Sequence, residues 1–251
     1  MKRLIALIAV LLALPVQAET IVSGMSETNV SIGADFDGTS ILIYGAAARE
    51  DKPPVWPLLH VVVTVKGPVQ PIFVRKKERV AGIWINQGWV AYDGAPSFYA
   101  VMSTGPLGDI LSAEADAAHD ISIPRGIGAV RLGASSGSAA DYLAALRRIR
   151  GAEGSYLQAD TVLLLQQSLF RTEVTLPANL IEGDYEVRIF LARGGAVIDE
   201  QRGRITVRKA GLERFLTRLA QDQPLIYGLI ALLLAAVAGG GASELFRRLR
   251  L

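Results

Sequence analysis

The chain has 251 residues, with 26 basic and 24 acidic side chains for a net charge of +2, two histidines and no cysteine. Lack of cysteine excludes disulfides, thiolate metal sites and thiol nucleophiles, so stability must come from a packed core, which this length permits. The basic excess belongs to the ends. Leaving out Lys2, Arg3, Arg247, Arg248 and Arg250 leaves 21 basic residues, and leaving out Glu244 leaves 23 acidic ones, so the stretch between is about −2 and gives no reason to expect a nucleic-acid partner.

Residues 1–18 read as a signal peptide: Lys2 and Arg3, an apolar run from Leu4 to Leu14, the break at Pro15, and small residues before a cleavage point after Ala18. An exported chain without cysteine fits a bacterial periplasm better than a eukaryotic cell surface.

Residues 19–105 are predicted to be β-rich. TNVSIGADF (Thr28 to Phe36), TSILIYGAA, LHVVVTVKG, QPIFVR, AGIWIN and PSFYAVMS are short β-branched or aromatic runs separated by turn residues, the pattern of an immunoglobulin-like sandwich. Residues 106–151 are predicted to be a helical insert. One helix runs from Pro106 to Ala118 with Leu107, Ile110 and Leu111 on one face. A second runs from a Ser138 cap to a Gly151 stop, with a stripe of Tyr142, Leu143, Leu146 and Ile149.

A second β-rich region covers 152–209. It contains the strand LFRTEVTLP and two alternating strands joined at Gly194-Gly195, a hairpin signal. Tyr185 enters a strand just after a turn glycine, as in a tyrosine corner. In 210–223, Leu212, Phe215, Leu216 and Leu219 form the stripe of an amphipathic juxtamembrane helix.

Residues 224–243 are predicted to be a single transmembrane helix. Leu225 to Ala242 carries no charge over 18 positions, roughly 27 Å of helix and close to the hydrocarbon thickness of a bilayer. The arginines of the tail, 244–251, place that end in the cytoplasm and the bulk of the chain in the periplasm. The fold class expected is therefore mainly β, with a short helical insert, a juxtamembrane helix and one C-terminal span.

Chemistry is sparse. Gly133-Ala134-Ser135-Ser136-Gly137 matches the G-x-S-x-G nucleophile elbow of hydrolases, but both His60 and His119 precede Ser135, whereas that fold needs its histidine later. A flexible loop leading to the Ser138 cap is the simpler reading. Two isolated histidines do not make a common zinc site, and Asp35-Phe36-Asp37-Gly38 lacks the further ligands of a calcium loop and reads as a turn. No catalytic residue, metal site or cofactor is predicted.

Two features point to contacts instead. Arg75, Lys76, Lys77 and Arg79 surround Glu78 for a local +3, expected at the tip joining PIFVR to GIWIN, with the apolar GIWI facing the core. These residues are a candidate contact surface for lipid headgroups or an anionic partner. In the span, Ala235, Gly239 and Ser243 recur every fourth residue and Gly240 widens the stripe, a pattern that lets helices pack closely in lipid.

Taken together, FDGTSILIYGA, VRKKERVAGIWIN, PSFYAV, LPANLIEGDYEV and RLAQDQPLIYGLIA resemble the alpha-proteobacterial family of transmembrane proteins, over most of the chain after the signal peptide. The resemblance implies a single-pass inner-membrane protein with a periplasmic domain, and carries an association with sulfite-exporter-type permeases. The function expected is a non-enzymatic accessory or interaction subunit of a membrane, or transport, complex, with the bilayer and another membrane protein as partners. A periplasmic binding module for a small anionic ligand is the alternative, and a serine hydrolase the third reading.

Overall fold

A computed structural model describes residues 19–33, 35–49, 54, 56–127, 130–132, 138–209 and 219–249. The expected signal peptide, the G-x-S-x-G match at Ser135 and most of the expected juxtamembrane stripe (Leu212, Phe215, Leu216) lie outside these residues. The chain divides into two compact units, one running to Val30 and from Phe36 to Val207, the other comprising Ser31–Asp35 and the residues from Arg208 onward.

The first unit is mainly β. One four-stranded sheet is built from β1 (Thr20–Met25), β3 (Gly38–Ala48), β11 (Leu169–Pro177) and β10 (Leu163–Leu165), in that order. Its period-two alternation is clean: Phe170, Thr172, Val174 and Leu176 are buried on β11, and the residues between them are exposed. One face therefore meets a core and the other meets solvent.

The second sheet has the order β2 (Asn29–Ile32), β13 (Ala196–Lys209), β12 (Gly183–Arg193), β4 (Leu59–Lys66), β7 (Tyr99–Ser103), β9 (Tyr156–Ala159). All neighbouring pairs among β13, β12, β4 and β7 are antiparallel, while β9 runs parallel to β7. Its central strands are buried on both faces, which explains the unbroken Val61-Val62-Val63 run of β4. Across one face, the Thr161 hydroxyl lies 3.3 Å from Thr172 Oγ1 on β11 and donates to Met102 Sδ on β7 at 3.2 Å, linking the two sheets.

The opposite face is covered by a helical layer. The expected Pro106–Ala118 helix is instead broken into α1 (Leu107–Ile110) and α2 (Ala113–His119), followed by α3 (Ile123–Gly126). Leu111 is extended, and the Ser112 side chain accepts from Ala115 N at 3.2 Å, so a fresh N-cap starts where one helix was expected to continue. The face holds nonetheless: Leu107, Ile110 and Leu111 join one core cluster with Val62, Val101 and Phe190. Gly126 lets α3 approach closely, since a Cβ there would meet the Tyr99 ring at 2.5 Å. Helix α4 (Ala139–Ala152) begins at a full capping box formed by Ser138 and Asp141, and buries Tyr142 and Leu146. Ile149, expected on that buried stripe, is 47% exposed.

Tyr185 behaves as its sequence position suggests. Its hydroxyl donates to Ile181 O at 2.9 Å, four residues upstream, while the ring is fully buried. The Gly194-Gly195 hairpin also forms, with both glycines at positive φ and Arg193 opposite Ala196.

A third, three-stranded sheet joins β5 (Val69–Val80), β6 (Ile83–Pro96) and β8 (Val130–Leu132), all antiparallel.

The second unit is dominated by α5 (Pro224–Leu249). Its charge-free stretch, Pro224–Ala242, has 19 residues and none is buried within the chain. That is about 28 Å of apolar helix, long enough to cross a bilayer.

Candidate interaction site

The four basic residues sit on a strand, not at a connecting tip. Strand β5 runs straight through Arg75, Lys76, Lys77 and Arg79, and the turn comes later, at Ala81-Gly82, with φ of 50° and 89°. Both turn residues thus adopt the left-handed conformation that a two-residue hairpin connection requires. The expectation that GIWI faces the core is also overturned: Ile83 is 67% and Trp84 66% exposed. The cause is topological. The base of the hairpin is packed, with Val74, Val90, Tyr92 and Ala95 in the core cluster, and among the described residues none of the hairpin beyond Val74 and Val90 joins that cluster.

Register decides which side chains share a face. Arg75 pairs with Trp89, Lys77 with Asn86 and Arg79 with Trp84. Alternation along β5 puts Arg75, Lys77 and Arg79 on one face with Phe73, and the register shift between Arg75 and Lys76, where β6 carries the extra residue Gly88 at φ 72°, brings Trp89 to the same face as Trp84. The Phe73 and Trp89 rings meet edge to face at 5.8 Å. The other face carries Val80, Ile83 and Ile85, together with a Lys76–Glu78 ion pair of 2.9 Å. Glu78 raises the Lys76 pKa, first by hydrogen bonding and then by its charge. Arg75 and Lys77 have no ion-pair partner among the described residues.

Where β5 passes α4, a groove of about 450 Å³ opens. Val74, Tyr142, Ala145 and Ile149 supply apolar walls, and Arg75, Lys76, Lys77 and Arg148 outnumber Asp141 among its charges. Arg148 is the one cation of this group contributed by a different element. Nothing local in the sequence ties this arginine near the helix end to β5.

The solvent face of the four-stranded sheet is a second surface. Val22, Tyr44, Leu163, Leu165 and Leu169 are all exposed and line a shallow depression with Phe170 and Arg171. Gly45 lies close beneath it, and a Cβ there would meet Val22 O at 2.5 Å. The alternation of Leu163, Leu165 and Leu169 was the available signal for this surface.

On the same unit, the Glu19 carboxylate accepts from Arg49 at 3.0 Å and from Arg193 at 2.8 and 3.0 Å, with all three side chains largely buried. Nearby, His60 lies 3.0 Å from Thr104 Oγ1. Partial burial, and then the Arg193 charge, hold its pKa below the usual 6.5. Among the described residues no group of three His, Asp or Glu side chains is placed to hold a metal ion.

In the second unit, Ala235, Gly239, Gly240 and Ser243 all fall on α5. Ala235, Gly239 and Ser243 recur every four residues and so share one face.

A family model described as "Putative transmembrane protein (Alph_Pro_TM)" matches residues 20–248. The chain belongs to this family. With one apolar helix of spanning length among the described residues, the family member fits a single-pass membrane protein. Among solved structures, Spo0M, a sporulation control protein from Bacillus subtilis, aligns with it at 8% identity and a TM-score of 0.26, over 82% of this chain and 56% of that one. No curated protein matches the chain.

Proposed function

We propose that this family member is a non-enzymatic accessory subunit of a membrane complex. In this reading α5 crosses the bacterial inner membrane, the β-unit is periplasmic and docks another membrane protein, and the basic C-terminal end is cytoplasmic. The observation that carries it is the contiguous apolar surface of Val22, Tyr44, Leu163, Leu165 and Leu169. Patches of large exposed apolar side chains mark interaction surfaces far more often than scattered single ones do. The arginines after the span favour a cytoplasmic end. The small-residue face of Ala235, Gly239 and Ser243 supports helix packing within the bilayer. A sulfite-exporter-type permease is the first partner to look for.

In-cell photo-crosslinking tests this, with a probe at Leu165 in one strain and at Val237 in another, followed by mass spectrometry. Adducts with one other membrane protein from both positions support the reading. Adducts only between copies of this chain contradict it.

The β5–α4 groove favours a second reading, a binding module for a small anionic ligand. Its size falls within the range of small-molecule sites, and its cations outnumber its single carboxylate. Full chain in nanodiscs, heated with phosphate, sulfite or oleate, should show a raised melting temperature that Arg148→Ala abolishes. A flat response to all three removes the reading.

A further inference from the structure

We propose that the distal half of the β5–β6 hairpin is an interfacial arm that seats in the headgroup layer of an anionic bilayer. This rests on the chain being a membrane protein and not on the accessory-subunit reading. From Arg75 to Val80 strand β5 runs roughly 20 Å past the last core residue, Val74, at about 3.3 Å per residue, with its first three residues lining the groove against α4. Along that length the arm's large apolar side chains are exposed, Ile83 and Trp84 most of all.

The composition of the two faces identifies the cover. One face interleaves Arg75, Lys77 and Arg79 with Trp84 and Trp89. Tryptophan prefers the bilayer interface, where one part of the ring is dry and the N–H is wet. Cations close to an anionic leaflet gain electrostatic attraction, and their long stems can lie along apolar surface. A second copy of the arm is a poor cover, because each carries a local charge of +3 and like charges facing one another oppose association. A bilayer, by contrast, accompanies this chain wherever α5 is inserted.

The tryptophans provide the test. The chain has three, Trp56, Trp84 and Trp89, and none lies in α5. Trp56→Phe leaves emission from the arm alone. Full-length protein in nanodiscs of phosphatidylcholine and phosphatidylglycerol should lose emission when the lipids are brominated near the headgroup, and should resist quenching by iodide. Bromolipid quenching should fall in pure phosphatidylcholine, in a variant with Arg75, Lys76, Lys77 and Arg79 all replaced by Gln, and in the unmodified arm at high salt. The salt series keeps the test decisive if the fourfold variant does not fold. Iodide quenching without bromolipid quenching overturns the proposal. Protection from both quenchers also overturns it, since the arm is then covered by protein. Bromolipid quenching that ignores lipid charge and salt overturns the requirement for an anionic surface.

Discussion

The molecule contains two long hairpins built by the same local rules and used in opposite ways. Strands β12 and β13 close through Gly194-Gly195, and β5 and β6 through Ala81-Gly82, with positive φ at both residues of each turn. Both carry register shifts, at Leu191/Ala192 in the first and at Gln70/Ile72 and Arg75/Lys76 in the second. In the first, β12 lies between β4 and β13 and is covered on both faces, so Tyr185, Val187, Ile189, Phe190 and Leu191 are buried. In the second, burial stops at Val74 and Val90. Alternation and turn chemistry therefore make a hairpin, but only its neighbours in space decide whether its apolar residues become core or surface. Even the turns differ in support. Arg193, beside Gly194, is bolted to Glu19, whereas among the described residues the side-chain bond at the arm's turn is a 3.4 Å one from Arg79 Nε to Gly82 O.

The comparison breaks if the two hairpins respond alike to substitution. Phe190→Ala should lower unfolding stability by about 3–5 kcal/mol, the usual loss for a buried aromatic, measured by denaturant titration in detergent. Glu19→Gln removes a charge that two largely buried arginines share, and should lower stability by about 3 kcal/mol, measured in the same titration.

Alkali should act next. Burial pushes Tyr99 and Tyr156 up from 10.0 to about 12, so the fold favours their neutral forms. Stability is whole below pH 10.0 and is lost as pH rises towards about 12, because the unfolded chain releases these protons first. A stability–pH series should show that decline, and Tyr99→Phe should make it shallower. His60 works at the other end. Its folded pKa is depressed, so its contribution is whole above 6.5 and is lost as pH falls below that value. His60→Gln should flatten the acid limb. Smallest of all, Trp84→Ala in the arm should shift stability by no more than about 0.5 kcal/mol in the same denaturant titration.

Much of the architecture was legible because its signals are local. The capping box at Ser138, the Gly194-Gly195 turn, the Tyr185 corner and the charge-free span each need only a short window of sequence. What was not legible depends on partners far along the chain. Strand β1 pairs with β3, and β9 runs parallel to β7; neither is announced by its own residues. The break at Leu111 follows from a cap that competes with helix continuation. At the candidate site the four cations are plain in the sequence, but their place in the fold is not. The charges are expected at the tip joining PIFVR to GIWIN, yet β5 continues as a strand to Val80 and carries them along its length. Arg148 and the Leu163, Leu165, Leu169 surface are not legible locally, because the groove and the depression are assembled from separate elements.

The absence of cysteine from the sequence makes topology directly measurable. Ala152→Cys, at the exposed end of α4, and Arg247→Cys, near the end of α5, can be labelled in intact spheroplasts with a membrane-impermeant maleimide. Labelling is expected at position 152 without permeabilisation, and at 247 only after it. Equal labelling at both positions, or the reverse order, would contradict a single span that holds the β-unit outside the inner membrane.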